Sequence, residues 1–214
     1  MVRLIHCVVL ALASAVAAAQ DESAFLKNVR QLTFEGKRSG EGYFSPDGKW
    51  LIFQSEREPD NPFYQIFIMD LESGNTHRVS PGVGKTTCGF FRPNSDEVLF
   101  ASTHLDPKAK AKQKAELEFR ASGKERRYAW DYDEQMDIFS CRRDGTGVKR
   151  LTDARGYDAE AAYSPDGTKI VFCSLRNAPA GVTDPSVYGE IYIMNADGSD
   201  QRRLTSSLGY DGGP

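Results

Sequence analysis

Short apolar runs recur along the chain, and a polar turn precedes each one. Trp50–Phe53, Val98–Ala101 and Ile170–Cys173 are apolar at every position. A strand with one face in water would alternate apolar and polar residues, whereas these runs are continuous. The pattern therefore predicts β-strands that are buried on both faces.

Each apolar run belongs to a longer repeat. The turns Ser45-Pro-Asp-Gly, Arg92-Pro-Asn-Ser and Ser164-Pro-Asp-Gly open the repeats. A second apolar run follows, and an arginine, an apolar residue and Thr or Ser close each repeat at residues 78–80, 150–152 and 203–205. In the Ser-Pro-Asp-Gly turn, Pro fixes φ and Gly accepts the positive φ with which the chain enters the next strand.

The spacing of the repeats predicts the fold. The three turns begin at residues 45, 92 and 164, and are therefore 47 and 72 residues apart. Removing an insertion of about 25 residues, Asp106 to Trp130, restores a period near that of a four-stranded propeller blade. We predict an all-β fold: a β-propeller of four-stranded antiparallel blades, with about three blades present and one helical insertion in the second.

These repeats divide the chain into expected segments. Residues 1–19 are the signal peptide, 20–30 a lead-in and 31–214 a partial propeller. The expected blades cover about 31–79, 80–151 and 152–204, and 205–214 begin a fourth. Because propellers close with about four to eight blades, we expect a partial, N-terminal sequence or a chain that a partner completes.

The order of these motifs resembles the WD-like repeat of the TolB propeller family. Leu-Thr, Ser-Pro-Asp-Gly, Phe-x-Ser, Ile-Tyr/Phe-Ile-Met, Asp-Gly-Ser and Arg-x-Leu-Thr follow one another from Gln31 to the C-terminus. Similar repeats build the propeller of prolyl oligopeptidase-like peptidases. TolB carries an α/β domain before its propeller, for which the ten or so residues before Gln31 leave no room. The resemblance therefore implies the fold but not the Tol partnership.

Two functions follow from this resemblance. The first is an exported, non-enzymatic scaffold that binds a protein or a cell-envelope polymer. The alternative is the propeller of a prolyl oligopeptidase-like serine hydrolase whose catalytic domain lies beyond residue 214. A Gly-x-Ser-x-Gly motif downstream would distinguish the second from the first.

The N-terminus predicts export to the periplasm or the extracellular space. Arg3 provides a positive charge, Val8–Ala19 is small and apolar, and Ala17–Ala19 match the pattern cleaved by signal peptidase. The apolar run is too short for a stable membrane span, and no other segment is apolar enough. Cys7 precedes this run, so it is not a lipidation site. The mature chain would begin near Gln20.

Charge and cysteine content argue against nucleic-acid binding and against a disulfide framework. The net charge is −3, so the chain as a whole has no electrostatic footprint for nucleic acid. Three cysteines remain after signal cleavage, and each lies in an apolar run. We therefore expect small buried side chains rather than a disulfide framework. The cysteines are Cys88, Cys141 and Cys173.

The connection between the second and third strands of each predicted blade, the b–c connection, is long in all three repeats. Long connections often carry function.

The b–c connection of the second repeat has the signals of a helix from Pro107 to Ala121, with Asp106 as its N-cap. Asp106 to Trp130 hold eight Lys and Arg against four Asp and Glu. We predict a binding site for an acidic partner or polyanion at Arg120, Lys124, Arg126, Arg127, Tyr128 and Trp130; the alternative is a solvated helix on the rim.

Three other motifs lack essential parts. Val79-Ser-Pro-Gly-Val-Gly-Lys-Thr has no first glycine and no following helix, so we expect no nucleotide site. Asp131, Asp133 and Asp137 lack the glycine and glutamate of a calcium loop, and we expect them on an exposed segment leading into a strand. His77 and His104 are isolated, and Gly-x-Ser-x-Gly and His-Glu-x-x-His are absent. We therefore predict no catalytic residues, no metal and no cofactor.

Overall fold

The computed structural model describes residues 25–127, 132–182 and 184–214, so the predicted signal peptide lies outside the described residues. Residues 25–34 have no regular secondary structure and belong to a compact unit separate from residues 35–214. In the described residues of the second unit, twelve strands form three four-stranded antiparallel sheets, each in sequential order. This confirms the prediction of four-stranded antiparallel sheets.

We call the sheets blades 1, 2 and 3. Blade 1 contains β1 (Arg38–Phe44), β2 (Trp50–Glu56), β3 (Gln65–Asp70) and β4 (Thr76–Arg78). Blade 2 contains β5 (Thr86–Phe91), β6 (Glu97–Ser102), β7 (Asp137–Arg142) and β8 (Lys149–Arg150). Blade 3 contains β9 (Asp158–Tyr163), β10 (Lys169–Ser174), β11 (Glu190–Asn195) and β12 (Arg202–Arg203).

One α-helix, α1 (Ala109–Ala121), lies between β6 and β7, and a 3₁₀ helix (Pro185–Tyr188) lies between β10 and β11. The Asp106 carboxylate accepts the Lys108 N–H at 2.8 Å in the turn before α1. The helix begins two residues later than predicted because this turn occupies Pro107 and Lys108. No helix in the described part of the chain has the length and hydropathy of a membrane span.

Blade 2 is buried on both faces. Val98 and Phe100 pack with Ile52 and Ile66 of blade 1. Leu99, the residue between them, points the other way and packs with Ile170, Phe172 and other residues of blade 3. Successive side chains of a strand point to opposite faces, which explains why the strand sequence is apolar at every position.

The turn between the first and second strands of each blade follows the predicted chemistry in two of three cases. Gly48 and Gly167 both adopt φ of +69°. In blade 2, Ser95 stands where the other turns have glycine, and Asn94 takes the left-handed conformation instead, with φ of +54°. Asparagine tolerates this region better than most residues, so the turn survives without its glycine.

A β-bulge recurs in the first strand of every blade. Glu41, Cys88 and Glu160 have φ of +45°, +55° and +55°, and the pairing with the second strand shifts register beside each one. A non-glycine residue with positive φ is uncommon, so three at equivalent positions are a property of the repeat. Two of these residues are glutamate and the third is cysteine, and the sequence pattern did not predict them.

Buried polar side chains connect neighbouring strands at one end of each blade. The Thr152 hydroxyl accepts the Ile138 N–H at 2.9 Å and bonds to the Asp137 carboxylate at 3.4 Å. Thr205 and Ser80 make the same pair of contacts in blades 3 and 1, at 2.7–3.0 Å. These residues are the Thr or Ser that closes each repeat, so the motif has a structural role.

The cysteine prediction is confirmed. Cys88, Cys141 and Cys173 are free and buried. Burial raises the pKa of the Cys141 and Cys173 thiols to about 12 each. These two side chains therefore remain protonated thiols that fill space between the blades.

Replacing Thr152 by Val tests the structural role of the closing hydroxyl. The shape is kept, but the buried Ile138 N–H loses its acceptor, which costs about 1–3 kcal/mol of unfolding free energy. Urea unfolding measures the difference. Thr146→Val, on an exposed turn of the same blade, is the control and should change stability by less than about 0.5 kcal/mol. Equal effects of the two variants would contradict the assigned role.

Candidate functional site

The long b–c connections share one face of the blades. They are residues 57–64, 103–136 and 175–189. Because neighbouring strands are antiparallel, the short turns that join the first to the second and the third to the fourth strand lie at the opposite end. We call the end with the long connections the b–c face.

Helix α1 is fixed to this face by its buried side. The Gln113 amide donates to the Asp60 carbonyl at 3.1 Å, and its oxygen accepts the Gly84 N–H at 2.9 Å. Asp60 belongs to the b–c connection of blade 1, whereas Gly84 lies between blades 1 and 2. The helix therefore bridges two blades.

Arg120 is part of this attachment. It pairs with the buried Glu56 carboxylate at 3.1 Å, with Glu116 at 2.7 Å, and donates to the Pro62 carbonyl at 3.0 Å. Arg38 also pairs with Glu56. Although burial disfavours the charged carboxylate, the two guanidiniums hold the pKa of Glu56 below its ordinary value.

The residues of the predicted binding site lie in different environments in the structure. Arg120 faces the interior, and Arg126 pairs with Glu116 at 2.6 Å while its guanidinium lies 4.8 Å from the Phe119 ring centroid. Lys124 and Arg127 are exposed. Tyr128 and Trp130 lie outside the described residues. The binding role of these six residues stays a prediction.

Helix α1 and the residues that flank it carry additional basic side chains. Lys108, Lys110 and Lys114 are exposed together with Lys124 and Arg127; we call these five residues the basic stripe. The exposed acids of the same segment, residues 108–127, are Glu118, which lies 3.7 Å from Lys114, and Glu125. The signal was present in the sequence as the four-residue spacing of Lys110 and Lys114, which places both on one side of a helix.

The prediction that the aspartates before β7 are exposed was wrong. Asp133 and Asp137 are both buried. Lys112 of α1 donates to the two Asp133 oxygens at 3.0 and 2.8 Å and also lies 2.8 Å from Asp106. Asp133 can be buried because the helix supplies its counterion, whereas Asp137 pairs with Arg150 of β8 at 2.5 Å. Local sequence reveals neither partner. Asp131 lies outside the described residues.

A second buried acidic pair lies between blades 2 and 3. Burial raises the pKa of Asp137 to about 6, although Arg150 opposes the shift, and the neighbouring Asp158 adds a smaller upward effect. Burial also raises the pKa of Asp158, against the Arg176 guanidinium 2.9 Å away. Thr152 bonds to both carboxyl groups. The arrangement resembles a structural polar network more than a reactive site.

A shallow pocket of about 170 Å³ opens beside the buried Glu56. Its walls come from the segment before β1, the b–c connection of blade 1 and the second half of α1. The lining residues are Gly36, Lys37, Glu56, Arg57, Glu58, Pro59, Asn61, Pro62, Leu117 and Arg120.

Residues 79–85 connect β4 to β5 without a helix, and the Gly84 N–H is used by Gln113. This segment therefore lacks the free amides and helix N-terminus of a phosphate loop. His104 packs on the Phe139 ring with centroids 4.3 Å apart, and burial lowers its pKa. In the described ranges, no three His, Cys, Asp or Glu side chains are grouped as metal ligands.

Comparisons with solved structures identify the fold. The chain superimposes on a TolB-like structure from Agrobacterium tumefaciens with a TM-score of 0.59 and 25% identity, covering 85% of this chain and 53% of the other. TolB from Acinetobacter baumannii gives a TM-score of 0.55 and 22% identity, covering 81% and 34%. This chain has a TolB-like fold. A prolyl endopeptidase also matches the TolB-like chain, with a TM-score of 0.51, 16% identity and coverage of 80% and 22%.

No family model matches the TolB-like chain. An uncharacterised protein of Agrobacterium fabrum is 26% identical over 171 residues, which are 79% of this chain and 47% of that protein. An uncharacterised peptidase of Bacillus subtilis is 25% identical over 184 residues, 74% of this chain and 24% of the peptidase. A TolB homologue of Chlorobium luteolum is 42% identical over 45 residues, 21% of this chain and 10% of the homologue. The TolB-like chain thus spans about half, or less, of these proteins.

Replacing Gln113 by Ala tests whether α1 is held in place by its amide. The variant leaves the Gly84 N–H without its acceptor, so we expect a loss of about 2 kcal/mol in unfolding free energy and faster hydrogen exchange in α1. Hydrogen exchange followed by mass spectrometry checks both. The adjacent exposed Lys114→Ala is the matched control, and α1 should exchange in it as in the wild type. Unchanged exchange in Gln113→Ala would show that the helix is held by other contacts.

Asp137→Asn tests the raised pKa of this carboxyl. The ordinary aspartate pKa is about 4, so the folded TolB-like chain retains the proton to a higher pH than the unfolded chain. This contribution to stability is complete below about pH 4 and is lost as pH rises through 6. The wild type should therefore lose stability relative to the variant between pH 4 and 7 in urea unfolding. A constant difference across that range would contradict the shift. Arg150, Asp158 and Arg176 are the charged groups that face this site.

Proposed function

We propose that the chain is the propeller scaffold of an exported, non-enzymatic protein that binds a protein or a cell-envelope polymer through its b–c face. The observation that carries the proposal is the attachment of α1. Gln113 and Arg120 fix the helix across two blades, and the basic stripe points outward from it. The N-terminal sequence supports export.

The charge of this surface supports an acidic partner. The chain as a whole has a net charge of −3, yet within residues 108–127 the five exposed basic residues of the stripe outnumber the two exposed acids, Glu118 and Glu125. Such a local excess attracts an anionic partner and accelerates its association, and salt screens the effect. The fixed position of the helix lowers the entropy that a flexible arm would lose on binding.

Lys124→Glu combined with Arg127→Glu tests the face. The probe is poly-L-glutamate of about 20 residues, a simple acidic polymer, and binding is measured by fluorescence anisotropy at 50 and 200 mM NaCl. Reversing two charges should weaken binding by about tenfold or more at the lower salt, because the Debye length there exceeds 10 Å. The effect should shrink at the higher salt.

The control for this experiment has the same net charge. Lys49→Glu with Arg202→Glu makes the same substitutions at exposed positions on the opposite end of the blades. This control should bind nearly as well as the wild type. If both double variants lose affinity equally, the attraction depends on total charge, and the assignment to the b–c face is wrong.

A second function rests on the similarity to the Bacillus subtilis peptidase and to a prolyl endopeptidase. In this alternative the blades are part of the propeller of a serine hydrolase, and the hydrolytic domain is encoded beyond residue 214. A Gly-x-Ser-x-Gly sequence there, and labelling of the full-length protein by a fluorophosphonate, would favour this function over the scaffold.

A further inference from the structure

The pocket beside Glu56 is built from three segments that are distant in sequence. The segment before β1 contributes Lys37, whose N–H donates to the Glu56 carbonyl at 2.8 Å. Arg57 continues from β2, and Leu117 reaches in from α1. Because α1 is bonded to both blades, the walls of the pocket are fixed before any ligand arrives.

The acidic groups of the pocket are already neutralised. The Glu56 side chain is only 4% exposed and has two arginine partners, Arg38 and Arg120. Glu58 pairs with Arg78 at 2.8 Å. A ligand would therefore meet little uncompensated negative charge.

Arg57 and Lys37 are the basic residues of the pocket wall that pair with none of the acids lining it. The Arg57 guanidinium lies over the Phe53 and Phe67 rings at 5.2 and 4.8 Å, and its Nε donates to the Ser55 hydroxyl at 3.0 Å. These contacts fix its orientation, while its charge partner Glu35 is 3.6 Å away and 82% exposed. Lys37 is exposed, and it has no ion pair among the described residues.

We propose that this pocket binds the carboxylate side chain of an acidic peptide segment in a protein partner. The carboxylate would lie between Lys37 and Arg57, and the methylene groups of a glutamate would contact Leu117 and Pro62. The proposal deepens the proposed function, on which it rests, by assigning one partner class and one anchoring pocket to the b–c face.

Size and lining favour a peptide side chain over a sugar polymer. Ligand pockets that enclose a whole small molecule have volumes of about 300–1,000 Å³, whereas this one has about 170 Å³. It therefore accommodates one side chain of a longer partner. None of the described residues that line it is aromatic, so it lacks a flat apolar surface on which a sugar ring would stack.

The experiment compares two short peptides that carry one side chain of interest. Acetyl-Gly-Gly-Glu-Gly-Gly-amide and its glutamine counterpart are titrated into ¹⁵N-labelled chain, and amide chemical shifts are followed. We expect the glutamate peptide to shift Lys37, Arg57 and Leu117 and to bind about fivefold more tightly than the glutamine peptide, because the ion pair that glutamine lacks contributes up to about 1 kcal/mol.

Lys37→Glu should weaken the glutamate peptide by about tenfold, because a like charge replaces the attractive one. Lys49→Glu has the same net charge and lies on the opposite end of the blades, so it should leave the affinity unchanged. Leu117→Trp, which fills the pocket from the helix, should abolish the localised shifts while Glu56 keeps both arginine partners.

Equal affinity for the two peptides, or shifts at the basic stripe instead of the pocket, would overturn the proposal. Loss of affinity in both lysine variants would do so as well.

None of these results would affect the poly-L-glutamate experiment, which depends on Lys124 and Arg127. Conversely, a chain that ignores poly-L-glutamate but binds the short glutamate peptide in the pocket would reject only the proposed role of the basic stripe. Binding of an oligouronate at the same residues with higher affinity would replace the peptide by a polysaccharide as partner.

Discussion

The arrangement of the blades depends on hydrogen bonds made by the segment that connects each blade to the next. Ser80, Thr152 and Thr205 each accept a backbone N–H from the third strand of their own blade, at 2.9–3.0 Å. Six residues later, Thr86 and Asp158 begin the next blade and donate their N–H to carbonyls just before the third strand of the previous blade. These groups lie in a desolvated interface, so an unmade bond would be costly. The connection therefore fixes the position of one apolar sheet against another.

Polar contacts also fix the position of the inserted helix at the surface. Its inward side presents Gln113, Glu116 and Arg120, which are polar and nonetheless buried or half-buried. Each has a partner, and Arg120 contacts Glu56, a residue of β2 in blade 1. An apolar helix face would have packed without specifying an orientation, whereas these polar contacts define one position. The outward lysines are then held at a defined place on the b–c face.

Local chemistry accounts for the parts of this fold that the sequence predicted. Continuous apolar runs predicted strands with two buried faces, because residue type indicates burial. The sequence also predicted the positive φ of Gly48 and Gly167, because glycine tolerates that conformation. Arg120 was placed in the predicted binding site, and its ion pair was not foreseen because its partner Glu56 is 64 positions away. Asp133 and Asp137 were assigned to an exposed segment because their cationic partners, Lys112 and Arg150, are separated from them in sequence. Long-range pairing decided those cases, and a single sequence carries no signal of it.

The pocket and the helix attachment are complete within blades 1 and 2. All the segments that form them lie between Gly36 and Arg120. The face of blade 1 that points away from blade 2 is less buried than the equivalent faces of blades 2 and 3. Phe44 is 65% exposed, whereas the equivalent Phe91 and Tyr163 are 2% and 6% exposed because a preceding blade covers them. Covering Phe44 would bury apolar area and add to stability. It would not alter the contacts of Glu56, Gln113 or Arg120, so the position of the helix and the walls of the pocket depend on two neighbouring blades.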